Sequence, residues 1–250
     1  MNLKGLIWDV DGTMVDSEEI HRAAFNRAFE DFGLKWYWAR AVYASLLRVA
    51  GGRERLRHFL DGAGNSLTGE ASIDSLVASL HARKTVIYNH LLKTRPVELR
   101  PGVLRLLRQA RDRGVLLAIA TTSSRENVRT LLDRTLAEDA IPWAAVVTGE
   151  DVASKKPSAD AYRLALVRLG LAPGHCLALE DSRNGVRAAC AAGLRTVAIV
   201  NDYTEDHDLR QAFVVLSTFG DSSRPCVVLQ GQVGVPGQIE LEHLSAWLDA

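Results

Sequence analysis

Short continuous runs of apolar residues recur along the chain and predict β-strands at five places. Such runs, which lack the alternation of a half-exposed strand, are typical of strands buried on both faces. They are Leu3–Trp8, Val115–Thr121, Ala145–Thr148, Cys176–Glu180 and Thr196–Val200. Segments with helical spacing of apolar residues separate most of them, namely Pro101–Arg113, Arg125–Arg134, Ser158–Leu169 and Arg183–Ala192. This alternation predicts an α/β fold with a doubly wound parallel sheet as its core.

The segment from about residue 16 to about residue 98 is helical in pattern and far longer than one crossover helix. Two stripes of mainly apolar residues run along it, Ile20, Ala24, Ala28 and Phe32 in the first and Leu76, Leu80, Lys84 and Tyr88 in the second. Breaks in the pattern fall at Gly51-Gly52 and Gly62–Gly69, and Pro96 and Pro101 mark its end. We therefore predict an all-helical cap at residues 17–98, inserted between core residues 1–16 and 99–250. A cap that leaves from the carboxyl end of a parallel strand would lie over the ligand site as a lid.

From about residue 220 the pattern weakens and the tail of the core diverges. Gly231, Gly234 and Gly237 have G-x-x-G-x-x-G spacing but lack the flanking strand and helix of a nucleotide-binding loop, which favours a turn-rich connection. A short helix is predicted at Glu240–Leu248. Docking of this helix on the core and docking on a neighbouring subunit both stay open, and for the chain a monomer is favoured over a dimer.

Composition narrows the functional classes. With 250 residues, of which 47% are hydrophobic and 24% charged, the chain can bury one large core and a smaller module. Because 30 basic residues balance 30 acidic ones, we expect neither a nucleic-acid partner nor an anionic membrane. No apolar stretch has the length of a membrane span and no leader-like segment opens the sequence, which predicts a cytoplasmic protein. Cys176, Cys190 and Cys226 are predicted to be free thiols.

Two carboxylates follow the first predicted strand at a spacing that lets them act together. Asp9 and Asp11 occupy positions i and i+2, which point to the same side of an extended chain. Like charges this close need a cation, a proton or a counter-charge, which indicates a Mg²⁺-dependent phosphoryl site. Asp9 is predicted to be the nucleophile and Asp11 the general acid and base. Gly12 suits a tight turn whose backbone N–H groups face a bound anion, although a strand-ending turn without function would look the same.

Further polar residues follow the later predicted strands. Thr121 is predicted to donate to a phosphate, with Thr122 beside it at the substrate, whereas Ser123 and Ser124 are interpreted as caps of the next helix. Lys156, fixed by a following proline, is predicted to offset negative charge in the transition state. In isolation, this lysine would be read as part of a solvated loop.

Two adjacent acidic residues stand at the end of the fourth predicted strand. Glu180 is the last residue of the Cys176–Glu180 run, and Asp181 follows it. Asp181 is predicted to bind Mg²⁺ together with the Asp9 carboxylate and the Asp11 backbone carbonyl, with Glu180 as a further ligand or as a hydrogen-bonding neighbour. Favourable charge at a helix N-terminus is the alternative. Because all these residues fall at carboxyl ends of predicted parallel strands, we expect them to meet in one crevice.

In order and spacing these elements resemble the four motifs of the haloacid dehalogenase superfamily. The matching residues are Asp9-Val10-Asp11-Gly12-Thr13, Thr121, Lys156-Pro157 and Glu180-Asp181. The resemblance covers the whole core, and the insertion resembles the helical-cap subclass. It implies an aspartate nucleophile, an aspartate acid/base and Mg²⁺ as the cofactor.

Within the superfamily, four shorter segments resemble the CbbY branch, rubisco-associated phosphatases of xylulose-1,5-bisphosphate and related sugar bisphosphates. They are Ser17–Asn26, Gly51–Arg55, Leu99–Gly102 and Tyr203-Thr204. Arg53 stands where that branch more often has lysine, and the tail after Phe219 departs from it. On this resemblance Arg53 is expected to clamp a distal phosphate, and Glu18 and His21 to hydrogen-bond sugar hydroxyls. An ordinary interfacial histidine is the alternative for His21.

The sequence thus predicts a Mg²⁺-dependent phosphatase of a small sugar phosphate or bisphosphate, with xylulose-1,5-bisphosphate as the first candidate and a phospho-Asp9 intermediate. A phosphosugar mutase of the β-phosphoglucomutase kind would share every one of these core residues. A catalytically inactive ligand-binding protein is the alternative from a different class.

Overall fold

Seven strands form one sheet in the computed structural model, which describes residues 2–62, 70–234 and 237–250. The strands are β1 (Gly5–Trp8), β2 (Leu116–Ala120), β3 (Trp143–Val147), β4 (Cys176–Glu180), β5 (Arg195–Ile199), β6 (Val214–Leu216) and β7 (Val228–Gln230). Their order across the sheet is β3-β2-β1-β4-β5-β6-β7. All neighbours pair in parallel except β6 and β7, which are antiparallel. The predicted α/β fold with a doubly wound parallel sheet is confirmed.

The described helices are α1 (Glu18–Asp31), α2 (Arg40–Leu46), α3 (Gly52–Gly62), α4 (Glu70–Thr94), α5 (Val103–Asp112), α6 (Arg125–Thr135), α7 (Asp160–Leu169), α8 (Arg183–Ala191) and α9 (Leu241–Asp249). None of the helices in the described ranges has both the length and the apolar character that crossing a membrane requires.

The central position of β1 decides where its polar end lies. Trp8 pairs with Ile119 of β2 on one side and with Leu179 of β4 on the other. The carboxyl ends of the three strands therefore lie side by side, and the residues that follow each strand share one edge of the sheet. Every residue of β1 and β4 is buried, as expected for strands covered on both faces.

Helices α1 to α4 occupy the long interval between β1 and β2. Their inner faces enclose a hydrophobic cluster of their own, which includes Phe25, Phe29, Trp38, Tyr43, Leu56 and Leu80. Other residues of α1 and α4, among them Ile20, Ala24, Ala28 and Tyr88, pack into the main core beneath. The division at residues 16/17 and 98/99 stays a prediction, and the predicted break at Gly62–Gly69 lies mostly outside the described residues.

One member of the first predicted stripe is placed differently. Phe32 is 40% exposed, whereas Ile20, Ala24 and Ala28 are buried. The reason is that α1 ends at Asp31 and the chain turns at Gly33, which has a φ of +68°. Helical periodicity therefore no longer governs the direction of the Phe32 side chain.

The tail contains more regular structure than a turn-rich connection. Strands β6 and β7 were not predicted, because strands of three residues are too short to show a hydrophobic period. The predicted helix at Glu240–Leu248 forms as α9, and its residues Leu241, Leu244 and Trp247 belong to the main core. The backbone N–H of Leu241 also donates to Gln109 of α5. In this structure α9 thus docks on the core of its own chain.

Candidate active site

A cavity of about 380 Å³ lies between the carboxyl edge of the sheet and the insertion helices. Most of the residues that the sequence analysis selected line it, namely Asp9, Asp11, Glu18, His21, Arg53, Thr121, Thr122, Lys156 and Asp181. Gly12 and Glu180 do not line it, and both lie directly behind lining residues. The structure thus brings together side chains from the ends of β1, β2 and β4 with side chains of the insertion.

Asp9 and Lys156 form a buried ion pair at the centre of the cavity floor. The Lys156 ammonium lies 2.6 Å from Asp9 Oδ1 and 2.5 Å from Glu180 Oε1. Only 4% of the Lys156 side chain is exposed. Two buried carboxylates therefore share one ammonium, and their charges raise the pKa of Lys156 although burial opposes the shift. Lys156 stays charged, and it is not the solvated loop residue of the alternative interpretation.

Glu180 is buried completely beneath this pair, and the Asp181 backbone N–H and the Ser182 hydroxyl donate to its Oε2 at 3.2 Å and 3.5 Å. Besides Lys156, the Tyr162 hydroxyl of α7 donates to Glu180 Oε1 at 2.5 Å. Gly185 of α8 packs against the same carboxylate, because a Cβ there would collide with it. Glu180 therefore fixes the position of Lys156 from below.

Three buried carboxylates, those of Asp9, Glu180 and Asp181, can offer oxygen atoms within 4.8 Å of one another. One ammonium cannot neutralise them, so the cluster keeps a formal excess of two negative charges. Burial is the main cause that raises the pKa of Asp9 to about 8, and burial together with the charges of Asp9 and Glu180 also raises the pKa of Asp181. A divalent cation bound by oxygen ligands fits this set, and Mg²⁺ prefers such ligands.

The Asp11 carboxylate points away from this cluster and accepts four hydrogen bonds. The donors are Ser17 at 2.5 Å, His21 at 3.0 Å, Tyr88 at 3.3 Å and Ser123. Although burial raises the pKa of Asp11, its interaction with His21 and the hydrogen bonds from the Ser123 and Ser17 hydroxyls hold that pKa below its usual value. In this conformation Asp11 is an ionised acceptor. Its backbone carbonyl, the predicted metal ligand, accepts no hydrogen bond from the described parts of the chain.

His21 connects Asp11 to a buried lysine of α4. The Lys84 amine lies 2.6 Å from His21 Nδ1, while His21 Nε2 faces Asp11 Oδ1. Because a lysine nitrogen that donates to Nδ1 leaves the ring proton on Nε2, His21 donates to Asp11. Burial lowers the pKa of Lys84 to about 7 and also lowers that of His21. Through its two ring nitrogens, His21 thus links Asp11, the predicted acid, to the buried Lys84.

The hydroxyl residues after β2 have roles that differ in part from the predicted ones. Ser124 is the N-cap of α6 and accepts from the backbone N–H of Asn127, as predicted. Assigning Ser123 to the cap is wrong, because its hydroxyl donates to Asp11. Thr121 is 2% exposed at the cavity wall, and its hydroxyl oxygen accepts from the Ser123 backbone N–H.

The turn after β1 is closed by its own backbone. The Gly12 N–H donates to the Val15 carbonyl and the Thr13 N–H to the Val10 carbonyl. The expectation that these N–H groups face an anion is therefore wrong for this conformation. Gly12 is still required in the turn, because its φ is +86° and a Cβ would collide with Asp181.

Basic groups dominate the wall that the insertion contributes. Arg53, Arg55, His81 and Lys84 line it, together with Glu18 and Glu54. Glu18 accepts a hydrogen bond of 2.8 Å from Tyr43, and Glu54 pairs at 2.8 Å with Lys155 of the opposite wall. The guanidinium groups of Arg53 and Arg55 suit an anionic ligand that reaches from the sheet edge to the insertion.

We expect His81 to make the fold sensitive to acid. Burial, with the nearby charges of Lys84, Arg53 and Lys155, lowers the pKa of His81 to about 4. Between pH 6.5 and 4, His81 binds a proton in the unfolded chain but not in the folded protein. The free energy of unfolding therefore falls as the pH is lowered.

Urea denaturation at pH 7 and pH 4.5 measures this effect. The loss of free energy of unfolding between the two pH values should be about 2 kcal/mol smaller in His81→Gln than in the unaltered protein. His58→Gln is the matched control, because His58 is an exposed histidine of the insertion, and its acid-induced loss should equal that of the unaltered protein. Equal losses in His81→Gln and the unaltered protein would contradict the prediction.

Several residues of the site were not selected from the sequence. They are Ser17, Lys84, Tyr88, Ser123, Tyr162 and Asn201. One signal was present, since Lys84 is a charged residue within an apolar stripe and must be buried if the stripe is buried. The hydroxyl residues gave no signal, because serine and tyrosine at such positions are ordinary in helices and loops.

Comparison with known proteins gives concordant results. Residues 3–193 match the model of a hydrolase family, haloacid dehalogenase-like hydrolase. Protein CbbY of Rhodobacter capsulatus is 43% identical over 213 residues, which cover 85% of this chain and 92% of that protein.

Two crystal structures of CbbY from Rhodobacter sphaeroides also match, each covering 86% of this chain and 94% of theirs. The complex with phosphate gives a TM-score of 0.79 at 38% identity. A mutant in complex with xylulose-(1,5)bisphosphate gives a TM-score of 0.80 at 37% identity.

Proposed function

The chain belongs to the haloacid dehalogenase-like hydrolase family, and from that premise we propose that it is a Mg²⁺-dependent phosphatase of small sugar phosphates or bisphosphates. Xylulose-1,5-bisphosphate is the first candidate substrate, because a relative 37% identical to this chain was solved with that compound. The observation that carries the proposal is the meeting of the buried Asp9 carboxylate, the Lys156 ammonium and Asp181 in one cavity.

Asp9 is the nucleophile of the proposed reaction. One of its carboxylate oxygens attacks phosphorus, and the bond between phosphorus and the sugar oxygen breaks. Asp11, protonated at this stage, gives its proton to the departing oxygen. Lys156, fixed 2.6 Å from Asp9, offsets the negative charge that the attacking carboxylate and the phosphoryl group bring together.

The second half of the reaction releases phosphate. The Asp11 carboxylate takes a proton from a water molecule whose oxygen attacks phosphorus, and the bond from phosphorus to Asp9 breaks. Thr121, at the cavity wall, donates to a phosphoryl oxygen throughout, with Thr122 beside it. Asp9, Asp181, Glu180 and the Asp11 backbone carbonyl would hold Mg²⁺, which when bound withdraws negative charge from the phosphoryl group.

Asp11 must change its partners to take part. In the described conformation it accepts from four donors and is ionised, so it can donate no proton. We infer that substrate binding moves Asp11 away from Ser17 and Ser123 and brings it a proton. A carboxylate that alternates between acceptor and acid is what a two-step hydrolysis requires.

The insertion supplies the groups for the rest of the substrate. Arg53 lines the wall opposite Lys156 and is suited to a second phosphate, because a guanidinium group donates two parallel hydrogen bonds. Glu18 lies near the start of α1, where sugar hydroxyls would pass. Both ring nitrogens of His21 contact Lys84 and Asp11 in this conformation, so His21 can bind a sugar hydroxyl only once Asp11 has moved away from it. Gly12 contributes through the shape of its turn.

Release of inorganic phosphate from a panel of sugar monophosphates and bisphosphates tests the proposal. The panel includes xylulose-1,5-bisphosphate, and each compound is assayed in Mg²⁺ and again in EDTA. We expect release that depends on Mg²⁺ and is fastest for the pentulose bisphosphate. Activity of equal size in EDTA would contradict the cofactor, and fast release from another compound alone would replace the substrate.

The same panel separates the two alternatives. A β-phosphoglucomutase-like enzyme would convert a sugar monophosphate into its isomer when a bisphosphate activator is present, without stoichiometric phosphate. A ligand-binding protein without turnover would bind Mg²⁺ and phosphorylated sugars but change none of them.

A further inference from the structure

Asn201 lies directly behind the acidic cluster, two residues beyond the end of β5. Only 6% of its surface is exposed, and its side-chain amide contacts the Asp181 carboxylate and the Gly12 carbonyl. The distances from Asn201 Nδ2 are 2.7 Å to Asp181 Oδ2 and 3.3 Å to the Gly12 oxygen. Asn201 does not line the cavity, so its effect on ligands must pass through these neighbours.

The orientation of the Asn201 amide is fixed by a backbone group. The N–H of Tyr203 lies 2.9 Å from Asn201 Oδ1, and a backbone N–H can only donate. The atom that faces Tyr203 is therefore the carbonyl oxygen, and the NH₂ group faces Asp181. The Asn201 backbone N–H also donates to the Thr204 hydroxyl at 3.0 Å, which anchors the loop.

The two oxygens of Asp181 consequently have different tasks. The Thr13 hydroxyl lies 3.3 Å from Asp181 Oδ1 and 3.4 Å from Asp9 Oδ2, so these two oxygens face each other. Asn201 holds the opposite oxygen, Oδ2, at the shorter distance of 2.7 Å. Thr13 shares its single proton between two carboxylates, which leaves Asn201 as the principal restraint on the rotation of Asp181.

We propose that Asn201 is a positioning residue for the divalent cation site, because it turns Asp181 Oδ1 toward Asp9. The inference rests on the proposed function, which assigns the cation to these carboxylates. Groups that orient metal ligands typically change metal affinity by about 10- to 100-fold when they are removed. Nothing else in the described parts of the chain donates to Asp181 Oδ2.

The approach of Gly12 supports this role. A Cβ at residue 12 would collide with Asp181 Oδ2 and come within 2.8 Å of Asn201 Nδ2. The Gly12 carbonyl also accepts from the Arg100 guanidinium. Asn201 therefore ties Asp181 to the turn that carries Asp9 and Asp11, and fixes the separation of the predicted metal ligands.

Direct binding of Mn²⁺, followed by electron paramagnetic resonance on the full chain, tests the proposal. Asn201→Ser keeps an oxygen that can accept from the Tyr203 N–H, but its shorter side chain does not reach Asp181. Asn201→Ala removes both interactions. We expect both variants to bind Mn²⁺ about 10- to 100-fold more weakly than the unaltered protein. Asp181→Asn, which alters the ligand itself, should bind more weakly still.

Asn89→Ala is the matched control, because Asn89 is a buried asparagine of α4 outside the cavity. Its Mn²⁺ affinity should be unchanged, and thermal unfolding of each variant reports whether the fold persists. If phosphate release is also followed, the Asn201 variants should recover kcat at high Mg²⁺ with little change in the substrate KM. A purely structural defect would not be reversed by added metal.

The outcomes separate the inference from the proposed function. Native Mn²⁺ affinity in folded Asn201→Ser and Asn201→Ala, together with weak binding in Asp181→Asn, would overturn the role of Asn201 and leave the metal site intact. Native affinity in Asp181→Asn would overturn both the metal site and this inference. If the Asn201 variants bind Mn²⁺ weakly and the unaltered protein releases phosphate from no substrate, the inference is supported and the proposed reaction is contradicted.

Discussion

Asp9→Asn is expected to lower kcat for phosphate release by about 10⁵-fold or more, since removing a catalytic nucleophile costs this order of magnitude in other enzymes that act through covalent intermediates. The amide cannot form the phospho-enzyme, whereas the cavity and the Lys156 contact with Glu180 remain. The fold should persist, because the substitution removes one of three mutually repelling buried carboxylates.

Steady-state phosphate release at saturating Mg²⁺ measures the effect, and circular dichroism confirms folding. Asp16→Asn serves as the matched control, because Asp16 is an exposed aspartate of the same segment that does not line the cavity. Its kcat should equal that of the unaltered protein. A folded Asp9→Asn variant that kept one hundredth or more of the native kcat would exclude Asp9 as the nucleophile.

Lys156→Met should damage both turnover and stability. The variant keeps most of the side-chain volume but leaves Asp9 and Glu180 without their shared ammonium. We expect kcat to fall by about 10²- to 10³-fold, as when one charge-stabilising group is removed from an active site. In metal-free buffer the free energy of unfolding should fall by about 3–5 kcal/mol, because the partners of a buried ion pair are left uncompensated.

The neighbouring residue provides the comparison for stability. Lys155 pairs with Glu54, but 25% of its side chain and 46% of that of Glu54 are exposed. Lys155→Met should therefore lower the free energy of unfolding by no more than about 1 kcal/mol. Urea denaturation in EDTA measures both variants, and equal losses for Lys155→Met and Lys156→Met would contradict the ion-pair argument.

The sequence was most informative where burial is uniform. All five predicted strands form within two residues of their predicted bounds, and Cys176–Glu180 has the predicted bounds. Continuous apolar runs leave little freedom in such a sheet, and parallel order then brings their polar ends to one edge. The meeting of Asp9, Thr121, Lys156 and Asp181 in one crevice could therefore be predicted from the sequence.

The surroundings of Asp11 could not be predicted in the same way. Its donors come from three separate places, Ser17 before α1, Tyr88 in α4 and Ser123 after β2. Hydrophobic periodicity predicts which face of α4 is buried. It does not predict which turn of that helix lies over the sheet edge, because this depends on how the insertion packs. Phe32 and the two short strands of the tail were misjudged for a related reason, since a pattern says little at the ends of elements.

The four donors to Asp11 also relate the timing of proton transfer to the movement of the insertion. Ser17, His21 and Tyr88 belong to the insertion or its first connection, whereas Ser123 belongs to the sheet edge. Any displacement of α1 and α4 from the sheet stretches three of these hydrogen bonds while the fourth stays. Movement of the insertion thus loosens the hold on the Asp11 carboxylate, whereas the bond from Ser123 is released only when Asp11 itself moves. Water that enters without displacing α1 and α4 would then meet an Asp11 carboxylate that its hydrogen-bond donors make a weak base.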